Sequence, residues 1–418
     1  MGTLWKIALR NTIRHGRRTI ITAVVMMVGI GVFIFFNSMI AGLDRMAVDN
    51  MTDYTLSSLK IRTPAYVDDI EAAPLDKGLP HPQAVVAAAA AQGLAATPRL
   101  RFVATVSNYT DAIPVLADAV DPVADTKVFK ISSAVRTGSW LDPAQPHAVV
   151  VGAELAHELG VEPGDSLLIS AQTVNDTTNA DEYTVAGLVS VPTPEVNQGG
   201  LFISLEDARE LLGAATGPDG LATEVDVALP RATSLNAALA RGDAAAARLR
   251  AALPDLRVDP IRQLASGYLA VRNSKSQSAF LIVVIVLLIS AVGIVNTILM
   301  SVYSRVREIG VLRAYGMTPR AILRLFTLEG LALGIVGSLL GVAFGALVNF
   351  FMVTHGMDMS AYAKGFGNLP VGGKLYGEWD VGIMVIGFVF GVVLSVLAAR
   401  IPARRAARLE PTSALRFQ

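Results

Sequence analysis

Four runs of the chain contain no Asp, Glu, Lys or Arg: Thr19–Leu43, Ser276–Ser304, Gly330–Met357 and Val381–Ala399. A helix needs about 20 residues to cross the hydrocarbon core of a bilayer, and each run is long enough. One such run fits a buried core helix; four predict membrane spans. The first has a basic front, but its apolar part exceeds the roughly 7–15 residues of a signal-peptide core, so it is expected to stay as an anchor.

Between the first and second runs the pattern changes to short alternating elements. Leu43, Met46, Val48 and Met51 interleave with Asp44, Arg45, Asp49 and Asp53, which predicts a helix continuing beyond the membrane as a stalk. Strands are expected over Thr55–Thr63 and Leu100–Ser107, with an Ala-rich helix over Gln83–Ala96 between them. A second such unit follows later: strand Thr223–Leu229, helix Ser234–Leu253, strand Leu256–Ile261. The section between the two units is denser in turns. His147–Val151, Ser166–Ser170, Glu182–Ser190 and Gly200–Ser204 read as strands, with Ala153–Leu159 and Leu205–Leu212 as helices. The whole is an α/β lobe interrupted by a mainly β insertion. Arg262–Ser278 forms a second stalk, expected to pair with the first.

Charge fixes an orientation. The 418 residues are 52% hydrophobic and 17% charged, with 35 residues of each sign. The zero balance hides an asymmetry. The N-terminal tail has Lys6, Arg10, Arg14, Arg17 and Arg18 and no acid. The connection after the second run has Arg305, Arg307, Arg313, Arg320 and Arg324 against Glu308. The C-terminal tail has Arg400, Arg404, Arg405, Arg408 and Arg416 against Glu410. By the positive-inside rule these three segments are cytoplasmic and the large middle domain is outside. Residues 1–18, with Trp5, Ile7 and Leu9 among spaced cations, fit an interfacial elbow helix or a topology signal alone.

The absence of cysteine excludes disulfides, zinc–cysteine sites and a thiol nucleophile. His157-Glu158 begins a zinc-protease pattern, but Val161 stands where the second histidine belongs. The glycine-rich stretch 365–374 fails the phosphate-loop spacing, and Ser166 has no nucleophile elbow. Neither an enzyme active site nor a nucleic-acid-binding pattern emerges.

The third run carries Gly330, Gly334, Gly337, Gly341 and Gly345 at spacings of 4, 3, 4 and 4, and the fourth adds Gly387 and Gly391. Small residues on one face let another helix approach closely, within the bundle or across a dimer. Glu329 is the one acid near a span, a candidate intramembrane acid or a partner for Arg324 or Arg320. In the basic connection Ser301–Leu325, Val302, Val306 and Ile309 share a helical face, with Leu312 beside it. Gly316 suits a left-handed helix stop, and Thr318-Pro319 is an N-cap with proline at the first helical position. A short amphipathic helix at the membrane edge is either a docking element or a plain linker.

The stretch REIGVLRAYGMTPRAI (Arg307–Ile322) resembles the signature of the FtsX/MacB-like, type VII, permease superfamily of ABC transporters. Ala8–Thr19 resembles its elbow, Val150–Ile169 with Tyr183–Ser190 its periplasmic core, and Ala403–Arg416 its C-terminal end. Asn37–Ile61 and Gly200–Gly213 are similar to the lipoprotein-releasing branch. The resemblance implies a membrane α-helical protein with four transmembrane helices and a large α/β (α+β) periplasmic domain made of a porter-like lobe and an inserted mainly β lobe. The implied order is an elbow at 1–18, spans at 19–43, 276–304, 321–354 and 381–400, and a periplasmic core with stalks at 44–275. A coupling helix at 305–320, a periplasmic loop at 355–380 and a cytoplasmic tail at 401–418 complete it.

It further implies a homo- or heterodimeric permease in the bacterial inner membrane, driven by a cytosolic ATPase dimer that holds the ATP and magnesium, with no cofactor on this chain. A periplasmic carrier or adaptor is a further expected partner. Arg305, Glu308 and Arg313 are then the expected polar contacts to the ATPase, Ile309 and Leu312 the apolar ones, and Gly316 the stop behind them. The expected function is mechanotransmission in lipoprotein release. The alternatives are an efflux permease of the macrolide or peptide exporter type, or a membrane-anchored signalling scaffold.

Overall fold

The computed structural model describes residues 16–304, 306–359 and 374–408. The elbow at 1–18, apart from the backbone of its last three residues, therefore lies outside the described residues, as do most of the loop at 355–380 and the last ten residues. In chain order the first half comprises α1 (Gly16–Met51), β1 (Leu59–Arg62), α2 (Pro82–Ala90), β2 (Ala95–Ser107), β3 (Ala112–Val120), β4 (Val135–Gly138), β5 (Ala148–Gly152) and α3 (Ala153–Leu159). Next come β6 (Ser166–Gln172), β7 (Thr178–Val189), α4 (Pro194–Gly199), β8 (Leu201–Ser204), α5 (Leu205–Leu211), β9 (Glu224–Ala228), α6 (Leu235–Ala252) and β10 (Arg257–Pro260). The last helices are α7 (Ser266–Ser304), α8 (Val306–Ala314), α9 (Pro319–His355) and α10 (Val381–Ala407).

These elements form two compact units, one of residues 1–42, 272–357 and 376–418, the other of 43–271 and 358–375. In the first, among the described residues, three helices are long and apolar enough to cross a membrane: α1, α9 and α10. The second run lies on the 39-residue α7, whose described apolar stretch is Ala291–Ser304.

The glycine face of α9 is used inside this unit. A Cβ at Gly337, Gly341 or Gly345 would lie 2.7–2.9 Å from Met26, Ile30 or Ile34, successive turns of α1. On the same helix, Gly330 and Gly334 face Ala399 and Ser395 of α10, and Ser395 Oγ donates to the Gly330 carbonyl at 2.6 Å. Gly387 sits against Phe33, and Gly391 against Ser338 and Ile30. Small residues thus set the approach of α1, α9 and α10 within one subunit. Near the other end, Asn349 Nδ2 and Ser38 Oγ both donate to the Glu378 carbonyl, at 3.2 and 3.0 Å.

The second unit is built on one ten-stranded sheet, in the order β10-β1-β9-β2-β3-β8-β5-β7-β4, with β6 bridging β2 and β7. The strand–helix–strand units predicted from sequence are β1-α2-β2 and β9-α6-β10, and their strands lie side by side. The thirteen-residue β2 joins the two lobes. Its first half pairs with β9 and its second half with β6. Several elements differ from expectation, among them β4 and α4, which were not foreseen. The helix predicted to Ala96 stops at Ala90, because Gly93 takes a positive φ of 74° and the strand resumes at Ala95. The strand predicted from Thr55 starts at Leu59, because Thr52–Leu56 is a π-helical turn closing the stalk. Strand β3, not foreseen, carries Pro114 and Asp118.

The stalk ends meet within this unit. Val48 of α1 packs with Leu235 and Leu239 of α6 and with Ile261 and Ala265 before α7. Tyr268 Oη donates to Asp44 Oδ1 at 3.0 Å. Behind the π-helical turn, Ser57 holds φ 56° and ψ −177°, a region otherwise used by glycine and costing about 1–3 kcal/mol.

Candidate functional site

The basic connection becomes a stop and a restart. α8 ends where Gly316 takes φ 91°, and its N–H donates to the Arg313 carbonyl at 3.0 Å. The next helix opens with Thr318 Oγ1 accepting from the Ala321 N–H at 3.4 Å, and with Pro319 first in the helix. Both helix signals in the sequence are therefore met, and they separate α8 from α9.

Its faces are sharply divided. Ile309, with Val302 near the end of α7, packs in one cluster with Ile298, Ile322, Phe326 and the small residues Ala399, Ala403, Ala406 and Ala407 of α10, and Val306 is buried as well. Burying one such aliphatic side chain contributes about 1.5–3 kcal/mol. Ile309, expected as an apolar contact for a partner, is instead part of this unit's own core at 3% exposure. Arg313 is half-buried, and its Nη1 donates to the Ala407 carbonyl at 3.4 Å, near the end of α10, where a cation is favoured.

The opposite face is open. Arg307 and Glu308 are exposed, Val311 is 40% exposed and Tyr315, one turn on, is 88% exposed. Arg305 and the side chain of Leu312 lie outside the described residues. Val311 and Tyr315 were missed in the sequence, although their spacing of four places them away from the Val302–Val306–Ile309 stripe. Glu329, one turn into the apolar part of α9, is buried at 5% exposure. The arrangement offers a mixed polar and apolar surface for a protein partner. Among the described residues, no group of three His, Cys, Asp or Glu is placed to hold a metal ion.

Two family profiles match and together span most of the chain. The MacB-like periplasmic core domain covers residues 19–252, and the FtsX-like permease C-terminal region covers 280–411. The chain belongs to the FtsX/MacB-like permease family of ABC transporters. It is 27% identical over 326 residues to the lipoprotein-releasing system transmembrane protein LolC of Xylella fastidiosa, covering 73% of each chain. LolC of Neisseria meningitidis is 23% identical over 344 residues, 78% of each. The macrolide export ATP-binding/permease protein MacB of Nitrosomonas europaea is 29% identical over 161 residues, 38% of this chain and 22% of that protein. The extracellular domain of the noncanonic ABC-type transporter YknZ from Gram-positive bacteria superposes with a TM-score of 0.33 at 12% identity, covering 48% of this chain and 98% of that one.

Proposed function

We propose that this permease is the membrane subunit of a lipoprotein-releasing ABC transporter. The observation carrying this reading is the length of the match to LolC, which runs through both the outside domain and the membrane part, whereas the match to MacB covers 22% of that protein. With α7 taken as a fourth span, both termini and α8 lie in the cytoplasm of a bacterial cell and the sheet domain in the periplasm, a reading that the charge asymmetry supports. ATP and magnesium belong to a separate cytosolic ATPase dimer, and two permease subunits form the membrane dimer. Substrate stays outside the bilayer core. ATP binding draws the stalks together and moves the periplasmic domains, which hand a lipidated protein to a carrier.

In this mechanism α8 is the coupling helix. Its inner face is fixed by Ile309 and by Arg313 on the Ala407 carbonyl, so a push on the outer face is delivered to α9 and α10 together rather than bending a loop. Arg305, Arg307 and Glu308 supply the polar contacts; Val311 and Tyr315 supply apolar area. Charge reversal by Glu308→Arg is expected to lower substrate-stimulated ATP hydrolysis of the reconstituted complex at least tenfold, with the folded permease still recovered. Arg313→Glu is expected to do the same by freeing the end of α8. Retention of full stimulated hydrolysis in both variants would overturn the assignment of α8.

A further inference from the structure

Both helices entering the periplasmic unit are rooted on one pair of residues. Ser58 donates its N–H to the Val227 carbonyl at 3.1 Å, while its own carbonyl accepts from the Ile261 N–H at 3.0 Å, at the start of the turn leading into α7. Its hydroxyl accepts from the Leu229 N–H at 3.1 Å. Immediately before it, the buried Ser57 hydroxyl donates to Asp226 Oδ1 at 2.7 Å and lies 2.9 Å from the Leu59 carbonyl.

Asp226 in turn is fixed from several sides. Lys60 of β1 reaches the same Oδ1 at 3.0 Å and shares its charge with Glu224 of β9 at 2.5 Å. Arg99 of β2 stands 4.0 Å from Oδ2 and is itself held by both oxygens of Asp125. Oδ2 accepts no hydrogen bond. The helix end is also a poor hinge on its outer side, since Lys130 pairs with Asp53 at 2.9 Å and its N–H donates to the Asp53 carbonyl.

Two properties of this place stand apart from ordinary packing. Ser57 keeps a glycine-like backbone although it is not glycine, so something other than local preference selects serine there. Its hydroxyl is the direct side-chain link from the end of α1 to a charged cluster spanning three strands. We propose that Ser57 is a positioning residue whose hydroxyl, held on Asp226, locks the bend after α1 so that movement of the stalk is carried into the sheet instead of being absorbed at the bend. The proposal rests on the mechanotransmission reading above.

The chain has no cysteine, so Ala247→Cys on α6 and Tyr376→Cys in the membrane unit allow a donor and an acceptor dye to be placed on one chain. Energy transfer is measured in the complex reconstituted with its ATPase, with and without ATP. With Ser57 in place, ATP is expected to shift the transfer. Ser57→Ala and Ser57→Gly are expected to reduce that shift at least threefold, with basal ATP hydrolysis within twofold of the parent. Asp226→Asn keeps an oxygen acceptor for the hydroxyl and is expected to preserve the shift. Ser57→Gly also relieves the backbone, so it remains folded even where Ser57→Ala does not. A full ATP-dependent shift in Ser57→Gly overturns the joint alone. No shift in the Ser57 parent overturns the mechanotransmission reading and the joint with it.

Discussion

Gly341→Leu is expected to prevent recovery of a folded chain from the membrane, or to lower its apparent unfolding midpoint in mild detergent by at least 10 °C. A Cβ alone at this position would lie 2.7 Å from Ile30 Cβ, and Ile30 is 1% exposed. Three further side-chain atoms have nowhere to go, because Ile30 also fills the space against Gly391 of α10. Overpacking a tight core costs about 1–3 kcal/mol and more where backbone must shift. Here relief requires separating helices, since the close approach of α1, α9 and α10 is set by the glycines themselves. Leu347→Ala on the same helix, at a residue 67% exposed, is the control and is expected to move the midpoint by less than 2 °C.

Lys60→Met is expected to destabilise the sheet unit by about 3–5 kcal/mol near pH 8, the cost of breaking a buried ion pair from one side. For a unit of this size that is a fall of very roughly 10 °C in its melting temperature. In the parent chain, burial raises the Asp226 carboxyl to about 6, against Lys60 and with Glu224 adding to the rise. Burial also raises Glu224, but Lys60 and Arg101 outweigh it and bring it down to about 2. Removing Lys60 leaves both carboxylates buried without their shared cation, so Asp226 is expected to rise further and Glu224 to rise above its ordinary value of 4.5. A carboxyl raised by folding binds its proton more tightly in the folded state, so its charged form lowers stability as pH rises through the folded value. The deficit of Lys60→Met is therefore expected to shrink on going from pH 8 to pH 5. Thermal unfolding of parent and variant at the two pH values measures it, and an equal deficit at both contradicts the pairing.

These two sites differ in how visible they were beforehand. The α9 glycines announce a close-packed face by spacing alone, but the sequence does not say whether the neighbour is the same chain or another. That depends on Met26, Ile30 and Ile34 recurring every fourth residue in α1, a pattern that only a structure aligns with the glycines. The Lys60 cluster was hidden for a different reason. Lys60 and Arg62 alternate with Leu59 and Ile61, and Glu224 and Asp226 alternate with Val225 and Val227, as in a strand with one wet face. In the sheet both faces are covered, and the opposite charges of neighbouring strands meet across it. Complementary charge at alternate positions of separate strands was the available signal.

At α8, stop and start signals marked its C-terminal end and the start of α9 because Gly316, Thr318 and Pro319 act through local backbone geometry. The split between Ile309 inside and Tyr315 outside depends on where α10 ends, and no local pattern carries that. Likewise β3 escaped notice because Pro114 and Asp118 are poor strand formers, tolerated where Pro114 is exposed and Asp118 pairs with Arg101 at 2.8 Å.

Photocrosslinking from α8 in native membranes reads most directly whether an ATPase docks on this helix. A photoreactive phenylalanine analogue is substituted for Tyr315, and in a separate chain for Val123, which is 57% exposed in the sheet unit. The Tyr315 position is expected to form an adduct with a cytosolic ATPase at a yield at least tenfold above that from Val123. Equal yields from the two positions, or adducts from Tyr315 to lipid and no ATPase, would contradict it.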